Sequence, residues 1–289
     1  MKISSNLGRL VSFYGPERAI ELMAEAGFEA YDFSMFELIR YDYKNNQPII
    51  NKESPLVSKD YRAYAKHLRE VADRCGIVCN QTHAPFPVFC EEIRAALKWA
   101  IDITSILGGR QCIIHPDNNA TAEKNAEMYR ELLPYAKEKN VKIATENMWN
   151  WDKEKDQACA AACSHHDDFL AHVKALDDEY LIACLDIGHA EMRGLDTDAV
   201  KMIETLGDTL GALHVHDNDK WHDSHAVPFT MEIDFDAVIK ALKRVGYKGD
   251  MTLEVYHKLD KNSDEQAAVA WLSELASVAK RLRKMFEEA

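Results

Sequence analysis

The chain has 289 residues, 47% of them hydrophobic, which fits one α/β barrel of about 250 residues and excludes wholesale disorder. Its net charge of -13 argues against a nucleic-acid partner, because phosphate contacts need Lys and Arg. No apolar run approaches the roughly 20 residues needed to span a bilayer, so no membrane partner is expected.

In chain order, short apolar runs alternate with longer segments of helical period. Lys2–Leu7 reads as a first strand and not as a targeting segment, followed by a helix over Pro16–Ala26 that Gly27 closes. A second strand, Ala30–Ser34, leads into Met35–Ser58, a polar stretch with Tyr41, Tyr43, Asn45 and Asn46 that exceeds the usual βα loop. Next come a helix over Lys59–Cys75, with Ser58 as candidate N-cap and Gly76 past its end, and a strand over Val78–His83. Helix Glu91–Leu107, strand Cys112–His115, helix Ala122–Lys139 (Thr121 its candidate N-cap) and strand Lys142–Glu146 follow. A second long segment, Met148–His166, carries Trp149, Trp151 and alternating charges. The remainder reads as strand Ile182–Asp186, helix Asp196–Thr205, strand Ala212–His216, helix Phe235–Val245 before Gly246, strand Met251–Val255 and closing helix Asp264–Phe286.

Repeated strand–helix units imply parallel strands with right-handed crossovers. Eight such strands predict closure into a (β/α)8 TIM barrel, a single domain over residues 1–289, with segments 35–58 and 148–166 over its mouth. An open doubly wound sheet is the alternative, but no Gly-x-Gly-x-x-Gly follows the first strand. The seven cysteines show no paired metal-type spacing, since Cys75 and Cys79, like Cys159 and Cys163, stand four apart. Their odd count, with no signal peptide, points to free thiols in a reducing cytoplasm.

His83, His115, Glu146, Asp186, His214 and Glu254 each lie at or near the C-terminal end of a predicted strand. One such residue reads equally well as a hydrogen-bonded loop cap. Six on consecutive strands converge on the one mouth where barrel enzymes do chemistry. Carboxylates and imidazoles in that mixture suit Mn²⁺, Mg²⁺, Co²⁺ or Zn²⁺. Without an ion, crowded carboxylates would raise one another's pKa values.

The motifs Thr82-His83-Ala84-Pro85, Ile114-His115-Pro116, Thr145-Glu146-Asn147, Asp186-Ile187-Gly188-His189, His214-Val215-His216-Asp217, Asp223-Ser224-His225 and Leu253-Glu254-Val255 occur in this order along the chain. Together they resemble the sugar phosphate isomerase/epimerase superfamily, the xylose isomerase-like barrels that include endonuclease IV. The resemblance implies one divalent ion held by Glu146, Asp186, His214 and Glu254, with His214 preferred over His216 by the family's His-x-x-Asp spacing. It implies substrate contacts from His83, His115, His189, His216, Asp223 and His225, and from Asp152, with Asp156 an equally solvent-loving neighbour. Glu146 and Glu254 would be the catalytic pair, removing and returning a proton beside a carbonyl while the ion stabilises a cis-enediolate. Trp149, Trp151, Trp221 and Phe86 would either wall the pocket or pack the loops.

The family's Pro-Gly-x-Gly stretch is replaced here by Val227-Pro228-Phe229-Thr230-Met231-Glu232-Ile233-Asp234, which puts a phosphorylated substrate in doubt. Two other activities fit the same positions. One is a three-zinc phosphodiesterase like endonuclease IV, whose nine ligand positions have counterparts in His83, His115, Glu146, Asp186, His189, His214, Asp223, His225 and Glu254. The other is a dehydratase acting on an inositol-derived keto sugar. The expectation is therefore a metal-dependent isomerase or epimerase with a small sugar as partner, compatible with a homo-oligomer.

Overall fold

The computed structural model describes residues 1–255, 258–259 and 262–289. Eight parallel strands form one sheet: β1 (Ile3–Asn6), β2 (Ala30–Ser34), β3 (Val78–His83), β4 (Gln111–Ile113), β5 (Lys142–Glu146), β6 (Leu181–Asp186), β7 (Leu210–His214) and β8 (Met251–Leu253). Each pairs with its neighbour in sequence, and β8 returns to β1 in the register Ile3↔Met251. The last seam, between β7 and β8, closes just past the end of β7. There Val215 N donates to Thr252 O at 2.9 Å and Glu254 N donates to Val215 O at 3.0 Å. The result is a nearly closed TIM barrel, as the alternation predicts.

Eight principal helices cover it: α1 (Gly8–Glu25), α2 (Tyr61–Cys75), α3 (Leu97–Leu107), α4 (Ala122–Glu138), α5 (His166–Lys174), α6 (Ala199–Leu206), α7 (Phe235–Arg244) and α8 (Glu265–Glu288). Among the described residues no helix is long and apolar enough to cross a membrane. Thr121 caps α4 as expected, its hydroxyl accepting from Lys124 N. Ser58 does not cap α2, which starts at Tyr61; its hydroxyl accepts instead from Asp60 N in the turn before it. The first helix starts eight residues earlier than expected, at Gly8, and bends at Gly15, which takes φ 78° just ahead of Pro16. The stretch expected as one helix over Glu91–Leu107 divides at Ala96. Helix α5 has no counterpart among the expected helices.

Both long segments fold as antiparallel hairpins: Ile39–Asp42 with Gln47–Ile50, and Asn150–Asp152 with Gln157–Cys159. Their turns share one construction. Asp42 and Asp152 each use Oδ1 to accept backbone N–H groups two and three residues on, and Asn46 and Asp156 take φ 51°. Short polar side chains tolerate that left-handed backbone and bond their own turn.

Side chains alternate along a strand, so every second residue faces the barrel axis. On β5–β7 the inward set is apolar: Ala144, Ile182, Cys184 and Ala212, with Ile113 of β4, form a cluster separate from the strand–helix core, whereas Gln111 of β4 is polar. On β1, β2, β3 and β8 the interior is polar. Ser4 donates to Asn80 Oδ1 at 2.8 Å, Asn80 Nδ2 donates to Thr252 Oγ1 at 2.9 Å, and Asp32 and Gln81 lie above them. Carrying the inward parity two residues past Ala144, Cys184 and Ala212 lands on Glu146, Asp186 and His214. The site is the last layer of the barrel interior.

Behind that layer Tyr129 of α4 holds two strands in place. Its buried hydroxyl donates to Ile114 O at 3.0 Å and lies 2.8 Å from Thr145 Oγ1. Tyr129→Phe leaves both without this partner and should lower the unfolding free energy by about 1–3 kcal/mol. Urea denaturation measures this, and an unchanged midpoint would show that the strand ends do not depend on the bond.

Candidate metal centre

Glu146, Asp186, His214 and Glu254 bring one ligand atom each within 4.8 Å of one another, as expected from the strand ends. His214 Nδ1 is 2.7 Å from Glu146 Oε1 and 3.2 Å from Glu254 Oε2. Three of these residues are fully enclosed, whereas the Glu254 side chain is 20% exposed against 2% for Glu146. Asp186 caps the helical turn Ile187–Ala190, with Oδ1 accepting from His189 N at 2.8 Å, while its Oδ2 is buried without a hydrogen-bond partner. An orphaned carboxylate oxygen among two further carboxylates and an imidazole is a donor set that fits a divalent cation.

Two more groups flank this one. His115 Nε2 lies 2.9 Å and His83 Nε2 3.6 Å from Glu146 Oε2, so Glu146 belongs to both sets. On the other side His189, His216, Asp223 and His225 converge. Asp223 Oδ2 is 3.3 Å from His189 Nε2 and 3.2 Å from His225 Nε2. His216 Nε2 approaches Asp186 Oδ1 to 3.0 Å and Asp223 Oδ1 to 3.5 Å, but His216 Nε2 and Asp223 Oδ1 make no hydrogen bond. His214 thus faces the glutamates, and its neighbour His216 faces the aspartates.

Local structure explains the placement. Asn147 clasps the Asp186 backbone from both sides, accepting from its N at 2.8 Å and donating to its O at 2.9 Å. The Asn147 carbonyl also accepts from His189 Nδ1 at 2.8 Å, leaving His189 Nε2 toward Asp223. Gly188 leaves room for the His216 ring, into which a Cβ at that position would project. The sequence reading passed over Asn147, although it stands in the quoted Thr145-Glu146-Asn147. It also passed over Asp32, a lone acid in an otherwise apolar and neutral strand, whose Oδ2 is 3.1 Å from His214 Nε2.

A cavity of about 410 Å³ opens above the groups, lined by His83, His115, Glu146, His189, His225 and Glu254 among others. Phe86 and Trp149 wall it. Trp151 instead stacks on His222, and Arg193 lies over Trp221, so these two pack loops. Asp152 is not among the lining residues; its carboxylate is engaged in the hairpin turn, 3.6 Å from Lys155 Nζ. A larger hollow of about 590 Å³ adjoins the mouth across Ser34 and Phe36 and contains none of the ligand groups.

The loop that departs from Pro-Gly-x-Gly wraps around the buried Asp217. Its carboxylate accepts from Thr230 N at 3.0 Å, Met231 N at 2.8 Å and Ile233 N at 3.0 Å. Phe229 takes φ 72° to make the turn. These amides are consumed internally.

Charge is compensated by protons on histidine. Burial alone would raise the Glu146 pKa, but His214, His115 and His83 hold it well below the usual carboxylate range. Burial likewise opposes the charge on His189 and His214, yet Asp186 and Asp223 raise the first, and Cys184, Glu254 and Glu146 raise the second, well above an ordinary imidazole. His225 is raised to about 9 against its own burial, chiefly by Asp223, whereas burial and His83 lower His115 to about 4. Asp186, despite burial, is lowered to about 2 by His189 and His216.

The pH dependence of the metal-free protein follows. A raised histidine stabilises below its unfolded pKa of about 6.5, and that contribution is lost as pH climbs. For His225 the loss runs through about 9. The depressed Asp186 stabilises above about 4, and that contribution is lost as pH falls through about 2. The melting temperature of metal-free protein should therefore fall between about pH 6.5 and 9.5. Saturating divalent ion should shrink the fall, because ligands must shed these protons to bind. A flat profile would contradict the cationic histidines.

A family model described as the xylose isomerase-like TIM barrel matches residues 20–275. An uncharacterized protein of Methanocaldococcus jannaschii is 27% identical over 211 residues, covering 65% of this chain and 68% of that protein. One from Sinorhizobium fredii is 26% identical over 207 residues, covering 67% of this chain and 61% of that protein, less than two thirds of its length. Among solved structures, a D-tagatose 3-epimerase-like protein is 22% identical with a TM-score of 0.70, covering 100% of this chain and 99% of that one. A D-psicose 3-epimerase crystallised in the presence of D-fructose is 14% identical with a TM-score of 0.70, covering 99% of each chain. An L-ribulose 3-epimerase is 17% identical with a TM-score of 0.65, covering 98% of this chain and 97% of that one. With strand order, motif order and family model in agreement, the chain belongs to the xylose isomerase-like TIM barrels.

Proposed function

We propose that the protein is a divalent-metal-dependent sugar isomerase or epimerase, with Glu146, Asp186, His214 and Glu254 holding Mn²⁺, Mg²⁺, Co²⁺ or Zn²⁺. The observation that carries the reading is the meeting of two glutamates from β5 and the end of β8 on one buried donor set at the floor of an open cavity. The 3-epimerases of the same fold act in its favour. When bound, the ion would polarise the substrate carbonyl as a Lewis acid.

The protein's own groups do the rest. Glu254, the more exposed glutamate, takes the proton from the carbon beside the carbonyl, and Glu146 returns it, or the reverse for the other stereochemistry. His83, His115, His189 and His225 line the cavity where the sugar hydroxyls would sit, and Trp149 and Phe86 exclude water. Asp223 and His216 orient His189 and His225. A cavity of about 410 Å³ lies within the range of about 300–1,000 Å³ usual for small-molecule sites.

The substrate is an unphosphorylated sugar on two grounds. No Lys or Arg stands among the described residues lining the cavity, and the loop amides that would approach a phosphate are held by Asp217. A second reading, a three-ion phosphodiesterase, draws support from the two flanking ligand groups. The same two grounds weigh against it.

Glu254→Gln should slow exchange of substrate hydrogen with D₂O by about 10²–10⁴-fold, the usual contribution of a general base. The assay follows ketoses and aldoses by NMR in D₂O. Retained exchange in a folded variant would remove Glu254 from the chemistry.

A further inference from the structure

An imidazole can offer an ion one nitrogen only, and the other must be occupied correctly. His214 Nδ1 faces Glu146 and Glu254, at 2.7 and 3.2 Å. Its Nε2 points the opposite way, into the barrel, where Asp32 Oδ2 lies at 3.1 Å. Asp32 is an inward residue of β2, 1% exposed, reaching across the barrel to β7. An ionised carboxylate only accepts, so this contact requires a proton on Nε2. By the same argument Nδ1 carries a proton toward Glu146 while no ion is bound, and shedding that proton leaves the Nδ1 lone pair for an ion.

Asp32 is itself held. Gln81 Nε2 donates to the same Oδ2 at 3.1 Å, and Gln111 Nε2 reaches Gln81 Oε1 at 3.5 Å. A buried polar line thus runs from β4 through β3 and β2 to His214. Barrel interiors are ordinarily filled by branched apolar side chains, and β5–β7 here follow that rule more closely. Asp32 Oδ1 has no partner, so the acid sits in this place at a desolvation cost that packing alone does not require.

We propose that Asp32 is a positioning residue, selecting the Nε2–H form of His214 and aiming Nδ1 at the ion. It touches no substrate and acts through His214. The inference rests on the reading that an ion binds between Glu146, Asp186, His214 and Glu254.

The test is Mn²⁺ affinity of the full chain by calorimetric titration, for Asp32→Ala and Asp32→Asn beside the unsubstituted protein. Loss of an outer partner of a metal-bound histidine weakens binding about 10–100-fold. That loss is expected for Asp32→Ala, with a smaller one for Asp32→Asn, whose amide oxygen can still accept. The metal-free melting temperature of Asp32→Asn should stay near that of the unsubstituted protein, which a purely structural role would not combine with weakened binding. Unchanged affinity in both variants would overturn the proposal; if Asp32→Ala does not fold, Asp32→Asn decides alone. A second readout needs no ion: the slowly exchanging Nε2–H proton of His214 in the ¹⁵N-resolved NMR spectrum of metal-free protein. Its shift or loss in a variant supports the proposal even if Mn²⁺ fails to bind, and its persistence unchanged overturns it. Failure of the unsubstituted chain to bind any divalent ion would instead remove the reading of the site.

Discussion

The structure is organised around a concentration of buried charge. Asp32, Glu146, Asp186, Asp223 and Glu254 share one barrel mouth with His83, His115, His189, His214, His216 and His225. Burying one isolated carboxylate is costly enough that such groups ordinarily neutralise themselves. Here the histidines carry the compensation, and Glu146 shows it best, staying ionised despite complete burial because three imidazoles surround it. Protons and divalent cations are interchangeable solutions to the same electrostatic requirement. The orphaned oxygen of Asp186 is where the proton solution falls short.

The fold supplies this crowding at little local cost. Parallel strands end together, and inward parity carries the apolar stripe of β5–β7 directly into Glu146, Asp186 and His214. The polar half of the interior, on β1–β3 and β8, supports the imidazole from beneath through Asp32. Backbone groups at the strand ends are clasped by Asn147 and Tyr129, so Glu146, Asp186 and His214 stand on the strands themselves, and Glu254 directly follows β8. The hairpins and the 227–234 loop around Asp217 contribute no residue to the lining of the cavity, which Phe86 and Trp149 wall.

The strands were legible because buried parallel strands are short apolar runs, and the acids and histidines interrupt those runs at one end only. Strand β4 runs over Gln111–Ile113, one residue earlier at its start and two shorter at its end than expected, although Ile114 N still donates to Ala144 O of β5. The hairpins were not legible: their strands are three or four residues of mixed polarity, without the alternation that marks a half-buried strand. Asp32 was hidden for a different reason. Its role depends on β7, 182 residues away, and no local pattern encodes a contact across a barrel. Spacing placed Asp152 near the substrate, but a short side chain beside two free N–H groups closes its own turn first. The His-x-x-Asp spacing favours His214 over His216 as a ligand; in the fold His214 faces Glu146 and Glu254, and His216 faces Asp186 and Asp223.

The central claim is that one divalent ion completes the Glu146–Asp186–His214–Glu254 set. Metal content per chain, measured by elemental mass spectrometry on protein purified without chelator, addresses it most directly. The account predicts about one divalent ion per chain, the occupancy of a single closed ligand set. About three zinc ions per chain would contradict it, filling the flanking histidine groups as well and turning the mouth into a phosphodiesterase centre.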